Sequence, residues 1–191
     1  MSSANAIGVF DSGLGGLSAV REFLHILPNE NIIYFGDTGR VPYGNRSREI
    51  ITKYAFQDTN FLLENNVKMI VAACGTVSSV AGKKLESNLP VPYTGVINPT
   101  AFATAKKTKT GRIGVIATAA TISTHNYKAR LEKLNPEFKV FEKACPISIF
   151  QYLSALPCAP YFCQGITPQR FQSPRECRLQ RMMKRLAQCC C

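Results

Sequence analysis

The sequence has no tryptophan, only two histidines (His25 and His125), and about half as many acidic residues as basic ones, 12 against 23. Neither histidine has a cysteine or carboxylate at ligand spacing, so a zinc site is not expected and both are left out of the candidate site. No apolar stretch reaches the length of a membrane-spanning helix, so no membrane partner is expected. The opening segment, MSSANAIGVFDSG, lacks a basic stretch ahead of a long apolar block. No secretory signal is therefore expected, and the default location is the cytoplasm. Cysteine is scarce through most of the chain: of eight, seven lie from Cys145 onward, at irregular spacing and without a paired CxxC framework. That pattern opposes a disulfide scaffold.

The net charge of +11 raises the question of nucleic acid, but its distribution argues against it. Residues 1–145 carry 17 Lys+Arg and 11 Asp+Glu, spaced as on solvated helix faces. Residues 146–191 carry 6 and 1, so nearly half of the excess sits in a quarter of the length. Aromatic residues in the first part do not alternate with a basic run, and nucleic acid is not expected as its partner.

What is present is 46% hydrophobic residues, enough for a substantial core, arranged as a regular alternation. Short apolar runs at 7–10, 31–36, 69–73 and 91–98 read as strands, GRIGVIATAATIS at 111–123 as a strand followed by hydroxyls, and FKVFEKACP at 138–146 as a last strand. Between them, amphipathic stretches at 17–27, 47–65, 75–88, 99–107 and 126–134 read as helices, with Ser47 and Pro99 near two of the starts. Steady β-α alternation predicts an α/β fold, a parallel sheet with helices on both faces. Ligands of such sheets bind beyond the carboxyl ends of the strands. Those ends carry Asp11 and Ser12, Asp37, Cys74 and Thr76, Asn98, and Thr118 and Thr121. Small polar groups and one thiol predict a small polar substrate.

Cys74 stands where an apolar run, KMIVAA, meets the hydroxyl-rich GTVSS. Thr76, Ser78 and Ser79 can cap the amides of a helix start. A cysteine at that junction is expected in a crevice, where helix amides favour a thiolate. Buried cysteines are more often inert packing, and that reading stands beside the catalytic one. DSGLGG at 11–16 resembles a dinucleotide fingerprint but has Ser18 in place of the third glycine. Two readings remain: a tight turn capped by Asp11 or Ser12, or a turn that anchors a substrate, with Asp11 facing its ammonium and Ser12 near the reacting carbon.

DSGLGG at 11–16, YFGDTGRVPYG at 34–44, AACGTVSS at 72–79 and GVIATAATISTHNY at 114–127 occur in order. Together they resemble the glutamate racemases of the aspartate/glutamate racemase superfamily, over about residues 6–146. The resemblance implies two α/β domains, here residues 1–93 and a partial second one over 94–146, with the active site between them. It implies a cofactor-independent enzyme that interconverts L- and D-glutamate, the D form serving peptidoglycan synthesis. Two cysteines act on opposite faces of the α-carbon, because inversion needs removal of a proton on one side and its return on the other. By position, Cys74 matches the catalytic cysteine that acts on D-glutamate. Asp11 and Ser12, Tyr43 and Gly44, and Gly75 and Thr76 match the substrate contacts, with Asp37 and Thr121 as supporting candidates. The partner expected is glutamate; a second copy of the chain is a further candidate.

Two departures stand out. The family usually has asparagine after this cysteine, and here Gly75 offers only backbone; one lost polar contact costs about 1–3 kcal/mol. The family's later GCTHYP-like segment, with the second catalytic cysteine, is missing. After Pro146 the alternation gives way to a basic, Cys- and Pro-rich tail over 147–191, in which 175–186 could form a basic helix. A reading-frame change or mis-assembly near codon 147 is the expectation, with racemase activity impaired. An aspartate or other amino-acid racemase, and a non-catalytic protein with a basic interaction tail, are the alternatives.

Overall fold

Strand β1 (Ile7–Asp11) sends Ile7 and Val9 to one side and Phe10 to the other, and all of its residues are buried. A strand apolar on both faces belongs inside a parallel sheet covered by two helical layers. In the computed structural model, which describes residues 5–145, β1 pairs in parallel with β2 (Ile32–Gly36) and with β3 (Met69–Ala72). Strand β4 (Tyr93–Gly95) extends the sheet beyond β3, giving the order β2-β1-β3-β4.

Helix α1 (Leu17–Ile26) covers one face, where Phe23 packs with Ile7, Val9, Met69 and Val71. The other face is covered by α2 (Arg48–Glu64), α3 (Gly75–Val80) and α4 (Gly82–Asn88). Phe10, Ile70 and Ala72 meet Ile51, Ala55, Leu62, Val77 and Leu85 there. Each of these large side chains stabilises the fold by about 1.5–3 kcal/mol on burial. Ser47 caps α2 by accepting the Ile50 amide at 3.3 Å, as its place before the apolar stripe predicts.

Three details differ from expectation. The helix after Cys74 is two helices, because the backbone at Ala81 leaves helical geometry between α3 and α4. The run at 91–98 yields only three strand residues; Ile97 and Asn98 already belong to α5 (Ile97–Lys107). Asn98 therefore stands on a helix, and Pro99 is that helix's third residue, where its missing N–H is no loss.

From α5 the chain crosses to a second sheet, β5 (Arg112–Ala117) paired in parallel with β6 (Lys139–Ala144). The short α6 (Ala119–Ile122) and α7 (Asn126–Leu134) lie between them in sequence. Ala101, Ile113 and Leu131 form a small core, but Ile116 and Phe141 are exposed. Among the described residues no helix is long and apolar enough to cross a membrane. The Cys- and Pro-rich tail, its basic segment at 175–186 and its cysteines lie outside the described residues.

Candidate active site

The strand order creates the site before any side chain is considered. The chain leaves β1 for β2 on one side and returns to β3 on the other. Between β1 and β3 the connections diverge, and the carboxyl ends of these two strands are where ligands of such sheets bind. Ser12 follows β1 and Cys74 follows β3, two residues past Ala72. Across that gap Ser12 Oγ lies 3.2 Å from Cys74 Sγ, although 62 positions separate them in sequence.

Cys74 is itself the cap of α3: its sulfur accepts the Val77 amide at 3.5 Å. The neighbouring hydroxyls, expected to cap, have other partners. Ser78 Oγ donates to the Ala72 carbonyl and accepts the Val96 amide, tying α3 to the ends of β3 and β4. Thr76 Oγ1 turns toward Thr118. Ser79 Oγ is buried without a hydrogen-bond partner among the described residues.

The thiol is also more enclosed than a crevice position implies, at 5% exposure. Burial pushes its pKa up to about 11, and the negative charge of Asp11 adds to the shift. The Ser12 hydroxyl and the Val77 and Ser12 amides pull the other way and do not offset it. At neutral pH Cys74 is therefore a protonated thiol, held ready to ionise only if its surroundings change. This corrects the expectation of an exposed, ionised sulfur.

Asp11 caps the DSGLGG turn: its Oδ2 accepts the Gly16 amide at 2.9 Å, and the residue is buried. Tyr34 Oη donates to the Gly13 carbonyl at 3.0 Å beneath the same turn. Its pKa is pushed up to about 12, by burial first and then by Asp11 and Cys74, so it stays a neutral donor.

Tyr43 is buried, and its hydroxyl lies within hydrogen-bonding distance of Asp37 Oδ2 and of Asp58 Oδ2, the latter at 3.1 Å, with one proton to serve both. Arg40 spans both carboxylates, with Nε 2.6 Å from Asp37 and Nη2 2.7 Å from Asp58, and stacks on Tyr54. Burial, then the charge of Asp37, raises the Asp58 pKa to about 6, against the pull of Tyr43 and Arg40. The Tyr43 side chain is thus committed to this cluster. Asp37 supports the 37–44 loop from below.

Gly44 carries the loop to the second sheet. Its carbonyl accepts the Ala120 amide at 3.1 Å, and a Cβ at this position would lie 2.7 Å from Thr118. Thr118 in turn caps α6 and joins a hydroxyl cluster, 3.1 Å from Thr76 Oγ1 and 2.9 Å from Thr121 Oγ1. Thr76 and Thr121, both expected near the site, therefore meet, through Thr118 and directly, with Thr121 Oγ1 3.4 Å from Thr76 Oγ1. Gly75 begins α3, and a Cβ there would meet nothing nearer than Tyr127 Oη at 3.8 Å.

Arg40, Asp58 and the central place of Thr118 were not among the expected site residues. Asp58 had a legible signal, a carboxylate on the apolar stripe Ile51, Ala55, Thr59, Leu62 of α2. His25 is exposed in the last turn of α1. His125 precedes α7 in left-handed backbone without a capping bond, and its Nδ1 lies 2.6 Å from Glu142. Among the described residues no three His, Cys, Asp or Glu side chains converge as metal ligands.

These features define a class: a parallel α/β protein with a thiol, a carboxylate and hydroxyls gathered at the sheet's switch point. The chain is 44% identical over 144 residues to a glutamate racemase of Geobacter metallireducens, covering 75% of this chain and 53% of that one. It is 49% identical over 140 residues to the glutamate racemase of Streptococcus sanguinis, with 73% and 53% covered. The chain thus spans about half the length of the curated relatives it matches. Among solved structures, the glutamate racemase from Aquifex pyrophilus superposes with a TM-score of 0.73 at 31% identity, covering 96% of this chain and 82% of that one. The Francisella tularensis enzyme, solved in complex with D-glutamate, superposes at 0.72 with 37% identity, 85% and 59% covered. No family model matches the chain. On these likenesses the chain belongs to the glutamate racemase family.

Proposed function

We propose that this chain carries one half of a cofactor-independent glutamate racemase site, with Cys74 handling the α-proton on one face of the substrate. The observation that carries the reading is the meeting of Ser12, Asp11 and Cys74 at the switch point between β1 and β3. A protonated thiol in a water-poor site is suited to deliver a proton to a carbanion, and its thiolate to remove one. Asp11 links the two states. Its charge helps to keep Cys74 protonated, and a substrate ammonium beside it would offset that charge and ease ionisation. The amides around Ser12 and Val77 then favour the thiolate.

In this reading Thr76, with Thr118 and Thr121 behind it, and the backbone at Tyr43, Gly44 and Gly75 receive the polar groups of glutamate. In this reading the first domain is residues 1–93 and the second, partial one residues 94–146. Inversion requires a second acid–base group on the opposite face, and the family's segment that carries it is missing from this sequence. The role follows the family: D-glutamate for peptidoglycan, made in the cytoplasm.

Incubating the chain with L- or D-glutamate in deuterated water tests the reading. The expected result is α-deuteration of one enantiomer with little net inversion, abolished by Cys74→Ser. Fast deuteration of both enantiomers with full turnover would overturn the half-site. Absence of exchange, with no protection of Cys74 from alkylation by glutamate, would overturn the racemase reading. Protection by aspartate in place of glutamate would move the substrate assignment within the superfamily.

A further inference from the structure

The turn at 12–16 has no internal reason to present Ser12 to Cys74. Its closing bond, Gly16 N–H to Asp11, fixes the two ends of the turn, and the Leu14 and Gly15 carbonyls accept the Leu17 and Ser18 amides. What lies under the middle is β2. Tyr34 Oη donates to the Gly13 carbonyl at 3.0 Å, one residue from Ser12. The ring of Tyr34 lies against the turn's last glycine, where a Cβ at position 16 would come within 3.2 Å of it. Gly36, at the end of the same strand, lets the turn descend: a Cβ there would lie 2.4 Å from the Gly13 carbonyl oxygen. Gly16 and Gly36 thus serve close packing of the turn on the Tyr34 ring, whereas a Cβ at Gly13 or Gly15 would not meet it.

We propose that Tyr34 is a positioning residue of the racemase site: by holding the Gly13 carbonyl it sets Ser12 Oγ at hydrogen-bonding distance from Cys74 Sγ, so that the thiolate gains a hydroxyl donor beside the Val77 amide when it forms. The proposal deepens the reading of Cys74 as the proton-handling thiol, but its test needs no glutamate and no turnover. Three ionisable groups bear on Cys74 from the elements around it: Asp11 from β1, Tyr34 from β2 and Tyr93 from β4. Tyr34→Phe removes a neutral hydroxyl and no charge, so the field of Asp11 on the sulfur is unchanged.

The experiment is the pH dependence of Cys74 alkylation by iodoacetamide in the full chain, with the Cys74 peptide read separately by mass mapping. Tyr34→Phe is expected to move the midpoint upward and to lower the rate at a fixed pH below it about fivefold, the worth of one hydrogen bond. Ser12→Ala should give the same change, and the double variant no more than Ser12→Ala alone, because both act through one bond. Ser12→Thr, which keeps the hydroxyl, should retain the original profile. Gly36→Ala, which pushes on the Gly13 carbonyl with Tyr34 intact, should mimic Tyr34→Phe and serves if that variant does not fold. An unchanged midpoint in a folded Tyr34→Phe or Gly36→Ala chain would overturn the proposal. So would independent, additive shifts from Tyr34 and Ser12. Loss of proton exchange with these profiles as expected would count against the racemase reading and leave the positioning role standing.

Discussion

At the scale of single residues, the site is defined by what each group is already bonded to. Gly75 is the simplest case, because its place on α3 has room: the nearest atom to an added Cβ is 3.8 Å away. Gly75→Asn should therefore be tolerated and should tighten glutamate binding about tenfold, by restoring one polar contact. Titration of Cys74 protection by glutamate measures this; no change would mean that the position does not face the substrate. Asp58 carries a prediction of a different kind. Its folded pKa, about 6, lies above the ordinary 3.8, so the folded state holds its proton more tightly than the unfolded one. The stability this contributes is fully present below 3.8 and is lost as pH rises to about 6. Urea melts from pH 4 to 7 should show Asp58→Asn with a smaller fall in stability over that window than the parent chain. Parallel curves would show that Asp58 titrates normally. Cys74, Asp11, Ser12 and Thr76 were legible in the sequence because each follows or abuts a strand end. The commitment of the Tyr43 side chain to Asp37 and Asp58 was not, since it joins a loop to a helix 15 positions away.

At the scale of elements, strands and helices were legible because each apolar run is short and bounded by glycine, proline or a hydroxyl cap. The break at Ala81 and the early start of α5 were not, because neither carries a local marker that outweighs packing. What connects the elements is a chain of small contacts. Asp58 on α2 holds Tyr43, Gly44 packs on Thr118 at the start of α6, and Thr118 meets Thr76 on α3. Outer fastenings run alongside: Arg48 Nη2 donates to the Ser123 carbonyl at 2.6 Å, and Asn126 Nδ2 to the Ser79 carbonyl at 2.6 Å. The weak point is Gly44, where a methyl group would lie 2.7 Å from Thr118. Gly44→Ala should cost about 1–3 kcal/mol through overpacking. It should also weaken the protection of Cys74 by glutamate, because the loop and the hydroxyl cluster move apart. Chemical denaturation and the protection assay read the two effects separately, and a variant with native stability and protection would show that the loop yields without consequence.

At the scale of the whole molecule, the two sheets are unequal. The four-stranded sheet has helices on both faces, and β1 and β3 are buried along their length. The β5–β6 pair has six residues in each strand, most of them partly or fully exposed, with Phe141 at 54% exposure. Its own core rests on Ala101, Ile113 and Leu131. Two strands bury too little apolar surface to be stable alone, so this unit depends on its fastenings to the first sheet. Hydrogen exchange should therefore be graded. Amides of β1 and β3 should exchange only on global unfolding, while those of β5 and β6 open at a lower free energy. The fastenings should set that lower value: Asn126→Ala, which leaves the Ser79 carbonyl without its donor, should lower it by about 1–2 kcal/mol and leave β1 and β3 unchanged. Equal protection in both sheets, or an equal loss in both on Asn126→Ala, would mean that the chain unfolds as one cooperative body. The graded outcome would place the movable part of the molecule at the contacts that join the two sheets, the Gly44–Thr118 packing and the Thr76–Thr118 hydroxyl bond beside Cys74.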